Sequence, residues 1–117
     1  MSYLPFSGIF PINYQIINPG TPYVAVDTDY IIAAGNSGTP LGTAVVQLPD
    51  APVDGRVYII FDYQGNISNR DAITITTVSG GTLFGDINAG ALSFNIVNPF
   101  GGVMIIGSAN QGCYYVL

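Results

Sequence analysis

Short apolar runs alternate with turn-forming residues along the whole chain, and this pattern predicts strands throughout. Runs of four to seven residues are punctuated by Gly, Pro, Asn and Ser, and no segment of useful length carries helical period. The strands read from it cover residues 23–26, 30–34, 43–48, 56–62, 72–78, 92–96, 103–106 and 113–117. Between them lie the Asp27-Thr28-Asp29 corner, a small-residue loop over 35–42, the proline turn of 49–55 and a polar loop over 63–71. The expected class is all-β: an antiparallel β-sandwich or jelly-roll-like domain over residues 23–117.

Alternation also predicts which faces are buried. Ile73 and Ile75 alternate with Thr74 and Thr76, and Leu92, Phe94 and Ile96 with Ser93 and Asn95, so those strands have one wet face. Residues 57–61 and 103–106 are apolar on both faces. In a small domain without helices, such a strand is either internal to two stacked sheets or covered by a partner chain, and assembly is the preferred reading. Val57, Ile59, Phe61, Met104, Ile106 and Tyr115 are therefore the expected oligomer-interface residues. Residues 1–22 carry four prolines with Phe6, Ile9, Phe10 and Ile12 as anchors. They read as an arm laid over a neighbouring surface, with a short strand over 14–17, and Phe6 and Phe10 join the expected interface.

Composition sharpens this picture by what it lacks. The chain has no His, Glu, Lys or Trp; two Arg face seven Asp, for a net charge of −5, and charged residues make up 8% of the chain. A typical soluble domain carries about 25%. The acidic balance argues against nucleic-acid binding, which needs a basic patch. No apolar run approaches the roughly 18 residues of a membrane span, and residues 1–10 lack the basic region of a signal peptide. Acid-base and nucleophilic chemistry usually draws on His, Lys or Glu, so an enzyme is not expected and no cofactor is implied.

Asp27 and Asp29 share a strand face and could act as a carboxylate pair or hold Ca²⁺ with loop carbonyls. The ordinary role of such residues, accepting backbone hydrogen bonds at a corner, is preferred. Asp50 and Asp54, flanking the proline turn, are a weaker pair of the same kind. Cys113 reads as a small buried hydrophobe. Tyr58, Tyr63, Tyr114 and Tyr115 could pack in the core or meet a ligand; Tyr63, in a polar loop, is the one expected to be exposed. Tyr63 and Asn66 are the candidate ligand contacts, and Asn66-Ile67-Ser68 is also a formal glycosylation sequon.

The order of these motifs resembles a β-domain of phage tail-fibre and virion-appendage proteins, and of surface proteins of large DNA viruses. The residues that carry the resemblance are the Val26-Asp27-Thr28-Asp29-Tyr30-Ile31-Ile32-Ala33 segment, the Leu48-Pro49-Asp50-Ala51-Pro52-Val53-Asp54-Gly55 turn and Asp62-Tyr63-Gln64-Gly65-Asn66. Ala72-Ile73-Thr74-Ile75-Thr76, a Gly80-Gly81 turn and the closing aromatic strand complete it. The likeness covers about four-fifths of the chain. It implies a structural virion protein, self-assembling as a homotrimer at a fibre tip or on a capsid and meeting other virion proteins. The alternative it implies is a module binding a host glycan or receptor. Such domains often end on a Trp-bearing hairpin; here Cys113 and Tyr114 stand in that region, so no Trp contact carries over.

Overall fold

The computed structural model describes residues 10–80 and 93–117. Nine strands are present among them: β1 (Ile12–Ile17), β2 (Tyr23–Val24), β3 (Ile31–Asn36), β4 (Ala44–Leu48), β5 (Val57–Asp62), β6 (Ile73–Thr77), β7 (Phe94–Ile96), β8 (Gly102–Ser108) and β9 (Cys113–Val116). The described residues are all-β, as the alternation predicts. Leu92, expected to open the strand at 92–96, and Gly81 of the Gly-Gly turn lie outside the described residues, as does Phe6.

The strands form a five-stranded sheet ordered β1-β3-β5-β8-β9 and a four-stranded sheet ordered β2-β4-β6-β7. From β1 to β6 the chain passes to the other sheet at every step, so strands adjacent within a sheet are never consecutive. Both β1–β3 and β3–β5 are parallel, as are β2–β4 and β4–β6; only β5–β8, β6–β7 and β8–β9 are antiparallel. This corrects the antiparallel expectation. A parallel pair needs a crossover, usually a helix; here a strand of the opposite sheet serves as the crossover.

Both sheets contribute to one apolar cluster, in which Ile32, Ala34, Ile60 and Ile105 from one sheet join Val46, Leu48, Ile73 and Ile75 from the other. Each large aliphatic side chain removed from water there contributes about 1.5–3 kcal/mol. Arg56 lies against Tyr58 of this cluster. Its guanidinium lies 4.4 Å from the Tyr30 ring centroid and 4.2 Å from that of Tyr58. It also donates to the carbonyls of Val57 (2.8 Å), Asp27 (3.1 Å) and Asp29. Among the described residues no buried side-chain nitrogen or oxygen lacks a partner.

Asn36 shows how a loop is fixed. Buried at the end of β3, its amide donates to the carbonyls of Gly42 (2.8 Å), Asp71 (3.1 Å) and Ala72 (3.2 Å), while its oxygen accepts from the Gly38 amide (2.8 Å). The 37–42 loop is thereby tied to the start of β6.

The short strand expected over residues 14–17 of the arm is present and begins earlier, at Ile12. Residues 12–17 pair with β3 at six successive positions, from Ile12–Ile31 to Ile17–Asn36, and form the edge of the five-stranded sheet. Residue 22, the expected end of the arm, lies between β1 and β2.

Candidate functional site

The outward face of the five-stranded sheet can be built from its register. One row across it is Ile12, Ile31, Ile59 and Met104; the next is Tyr14, Ala33, Phe61 and Gly102; another is Val57, Ile106 and Tyr115. No charged residue occurs in these rows. Ile12, Tyr14, Ile16 and Met104 are exposed, and Ile31, Val57, Ile59, Phe61, Ile106 and Tyr115 are half-buried. Five strands about 4.8 Å apart and some 17 Å long give a footprint of about 400 Å². That matches the largest apolar patches of ordinary monomers, about 300–600 Å², which are often functional.

Six of the expected interface residues, Val57, Ile59, Phe61, Met104, Ile106 and Tyr115, thus share one face. Phe10 stands at its border, with its ring 5.9 Å from that of Tyr30. Beside it a groove of about 620 Å³ is lined by Phe10, Tyr30, Ile31, Val53, Val57, Ile59 and Met104, with Asp54, Gly55 and Arg56 completing the wall.

The sequence reading missed the β1 residues of this face. β1 is inverted: Asn13 and Gln15 point inward while Ile12, Tyr14 and Ile16 point out, with Tyr14 61% exposed. The polar side is satisfied locally. Asn13 donates to the Tyr23 hydroxyl (2.7 Å) and to Asp29 Oδ1 (2.9 Å), Tyr23 donates to Asp29 Oδ2 (2.6 Å), and Gln15 donates to Asn13 (2.9 Å). Burial and the Asp29 carboxylate push the Tyr23 hydroxyl up to about 12. The signal was legible in the strict alternation of residues 12–16, but four nearby prolines masked it as an arm.

The carboxylates are committed to turns. Asp29 accepts from Tyr23, Asn13 and the Val26 amide (3.0 Å), while the Arg56 guanidinium occupies the Asp27 and Asp29 carbonyls. At this corner the Asp29 carboxylate already serves protein donors, and the Arg56 guanidinium sits on the Asp27 and Asp29 carbonyls that were expected to help hold Ca²⁺. Asp62, buried, accepts from the amides of Gln64 (3.1 Å), Gly65 (2.9 Å) and Phe100 (2.9 Å). Asp50 accepts from the Ser79 amide and hydroxyl, which hold its carboxyl below the usual range, and Asp54 from the amides of Ala109 and Asn110. The two carboxylates thus hold separate turns. Among the described residues no three His, Cys, Asp or Glu side chains are grouped to hold a metal.

Of the tyrosines, Tyr63 differs from expectation. It is half-buried, with Tyr14 standing edge-on to it at 5.3 Å. Asn66 is exposed and donates to the Asn36 carbonyl (3.3 Å). Tyr114 is buried and donates to the Pro49 carbonyl (2.6 Å); burial raises its pKa, as it does that of Tyr58. Cys113 is buried. No protein-family model and no curated protein sequence matches the chain.

Proposed function

We propose that this chain is a structural protein that assembles with copies of itself through the outward face of its five-stranded sheet. The observation that carries this reading is the inverted strand β1. It turns amides inward and Ile12, Tyr14 and Ile16 outward, extending an uncharged apolar face to the sheet edge, where a free-standing domain would place polar residues. The two sheets stack as a β-sandwich, wound by parallel crossovers.

Together with the motif resemblance, the reading is a homotrimeric virion protein, at a fibre tip or decorating a capsid in contact with other virion proteins. It is not an enzyme and takes no cofactor. The acidic, nearly Arg-free surface offers neither nucleic acid nor a membrane a basic contact. A second reading, host glycan or receptor binding, draws support from the exposed Tyr14 ring set against Tyr63, since aromatic faces and edges recur in recognition.

Size-exclusion chromatography with light scattering tests the assembly at micromolar concentration. The expected mass is a multiple of the 12.3 kDa chain, three-fold for the trimer, and a monomer overturns the reading. Glycan binding that Tyr63→Ala or Asn66→Ala abolishes without changing the mass would favour the second reading.

A further inference from the structure

Two features stand at opposite ends of the five-stranded sheet, and each has the shape the other lacks. The groove is at the start of β5, walled by Ile31, Val53, Val57, Ile59 and Met104, with a volume of about 620 Å³. Its two charged neighbours are turned to other work. Arg56 lies against Tyr30 and Tyr58, and the Asp54 carboxylate accepts from the Ala109 and Asn110 amides. The walls are therefore apolar.

At the far end, beyond Asp62, Phe100 projects from the turn before β8 with 68% of its surface exposed. Its φ of 61° is left-handed, a conformation that side chains other than glycine rarely adopt. Two contacts hold it there. Its amide donates to the buried Asp62 carboxylate at 2.9 Å, and its ring lies on Gly65, where any side chain would collide with it. The fold thus keeps a large apolar ring in water, in a strained and fixed pose. A ring already fixed loses little freedom on docking.

We propose that Phe100 of one copy seats in the groove of a second copy, so that the chains join head to tail. This rests on the self-assembly reading and specifies its geometry. A groove of this volume lies within the roughly 300–1,000 Å³ of pockets that take compact ligands, enough for the ring and the turn that bears it. The flat sheet face, with a footprint of about 400 Å², is also smaller than the roughly 800 Å² each partner gives to a standard interface. Contact at the sheet ends helps make up the difference. A knob and hole at different places on one chain form a heterologous contact, which closes into a ring or runs on as a filament, whereas a self-complementary patch stops at a pair. A ring of three is one such closure.

The test mixes two full-length variants, Phe100→Asp, which loses the knob, and Val53→Asp, which spoils the groove. Each alone is expected to weaken assembly at least tenfold in dissociation constant. Mixed in equal amounts, the intact groove of the first accepts the intact Phe100 of the second. The product is a species of twice the 12.3 kDa chain mass and no larger. Circular dichroism melts check that each variant folds, and Val53→Asn replaces Val53→Asp if that variant does not. If wild type assembles while Phe100→Asp assembles equally well, or while the mixture stays monomeric or regains the full wild-type size, the head-to-tail contact is overturned and self-assembly stands. A monomeric wild type overturns both.

Discussion

The outward faces of the two sheets are made by the same alternation and reach opposite ends. On the four-stranded sheet the face carries Val45, Thr74 and Asn95 in one row and Val24, Gln47 and Thr76 across the next. Thr74 donates to Asn95 across the β6–β7 pair at 2.7 Å. That is an ordinary solvated surface, with cross-strand polar pairs. The five-stranded sheet carries Ile, Val, Phe, Met and Tyr at the equivalent positions, and its edge strand is turned over to extend them. The charge-poor composition hides this asymmetry, because neither face holds Lys or Glu; only the register separates Thr and Asn from Ile and Phe.

The largest effect is expected from placing a charge on each face in turn. Ile59→Asp sets an unpaired carboxylate in the centre of the apolar face, and burying it in a contact costs about 3 kcal/mol or more. The dissociation constant of the assembly should rise more than a hundredfold. Thr74→Asp, on the other sheet, should leave it within about twofold. Analytical ultracentrifugation of both variants decides the matter, and equal loss from the two would erase the distinction between the faces.

A smaller effect is expected at the inverted edge. Tyr14→Ala removes an exposed ring and its edge-on contact with Tyr63, and aromatic truncations at interfaces typically cost about 1–2 kcal/mol. Assembly should weaken roughly five- to thirtyfold, while the melting temperature measured under monomeric conditions shifts by only a few degrees. A large fall in melting temperature with unchanged assembly would make Tyr14 a packing residue instead.

The smallest is a pH effect on the polar side of the same strand. Tyr23 has a folded pKa raised above its usual 10.0 to about 12, so the folded state holds its proton more tightly than the unfolded chain. The stability this gives is complete below about pH 10 and is lost as pH rises towards 12. Denaturant titrations at pH 8 and pH 11 should show wild type losing more stability than Tyr23→Phe; an equal loss would remove Tyr23 from the account.

Strand positions were largely legible in the sequence, since Gly and Pro punctuation marks where a strand can run. Direction was not. Alternation tells which face a side chain takes, and a parallel and an antiparallel strand alternate alike, so the coil of β1 to β6 could not be read from Val45 or Ile73. The runs at 57–61 and 103–106 send Tyr58, Ile60, Val103 and Ile105 into the core cluster and leave Val57, Ile59, Met104 and Ile106 on the other side of the sheet. Phe100 was invisible because its exposure depends on a left-handed backbone held by Asp62 and Gly65, two residues some 35 positions earlier in the chain. Tyr63 was misjudged because its cover, Tyr14, comes from a strand on the far side of β3.

The parallel winding also governs how the chain reaches its native state. Ile12 meets Ile31, Tyr23 meets Val46, Ile31 meets Ile59 and Ala44 meets Ile73, so each early strand waits roughly 20 to 30 residues for its neighbour. Among the described residues only β8 and β9 form a tight local hairpin. Loop closure must precede most of the stabilising contacts, which places the chain among slow folders in the millisecond-to-second range. On the ribosome, the N-terminal strands emerge without partners, and the apolar edge of β1 stays open to other nascent chains until β3 arrives.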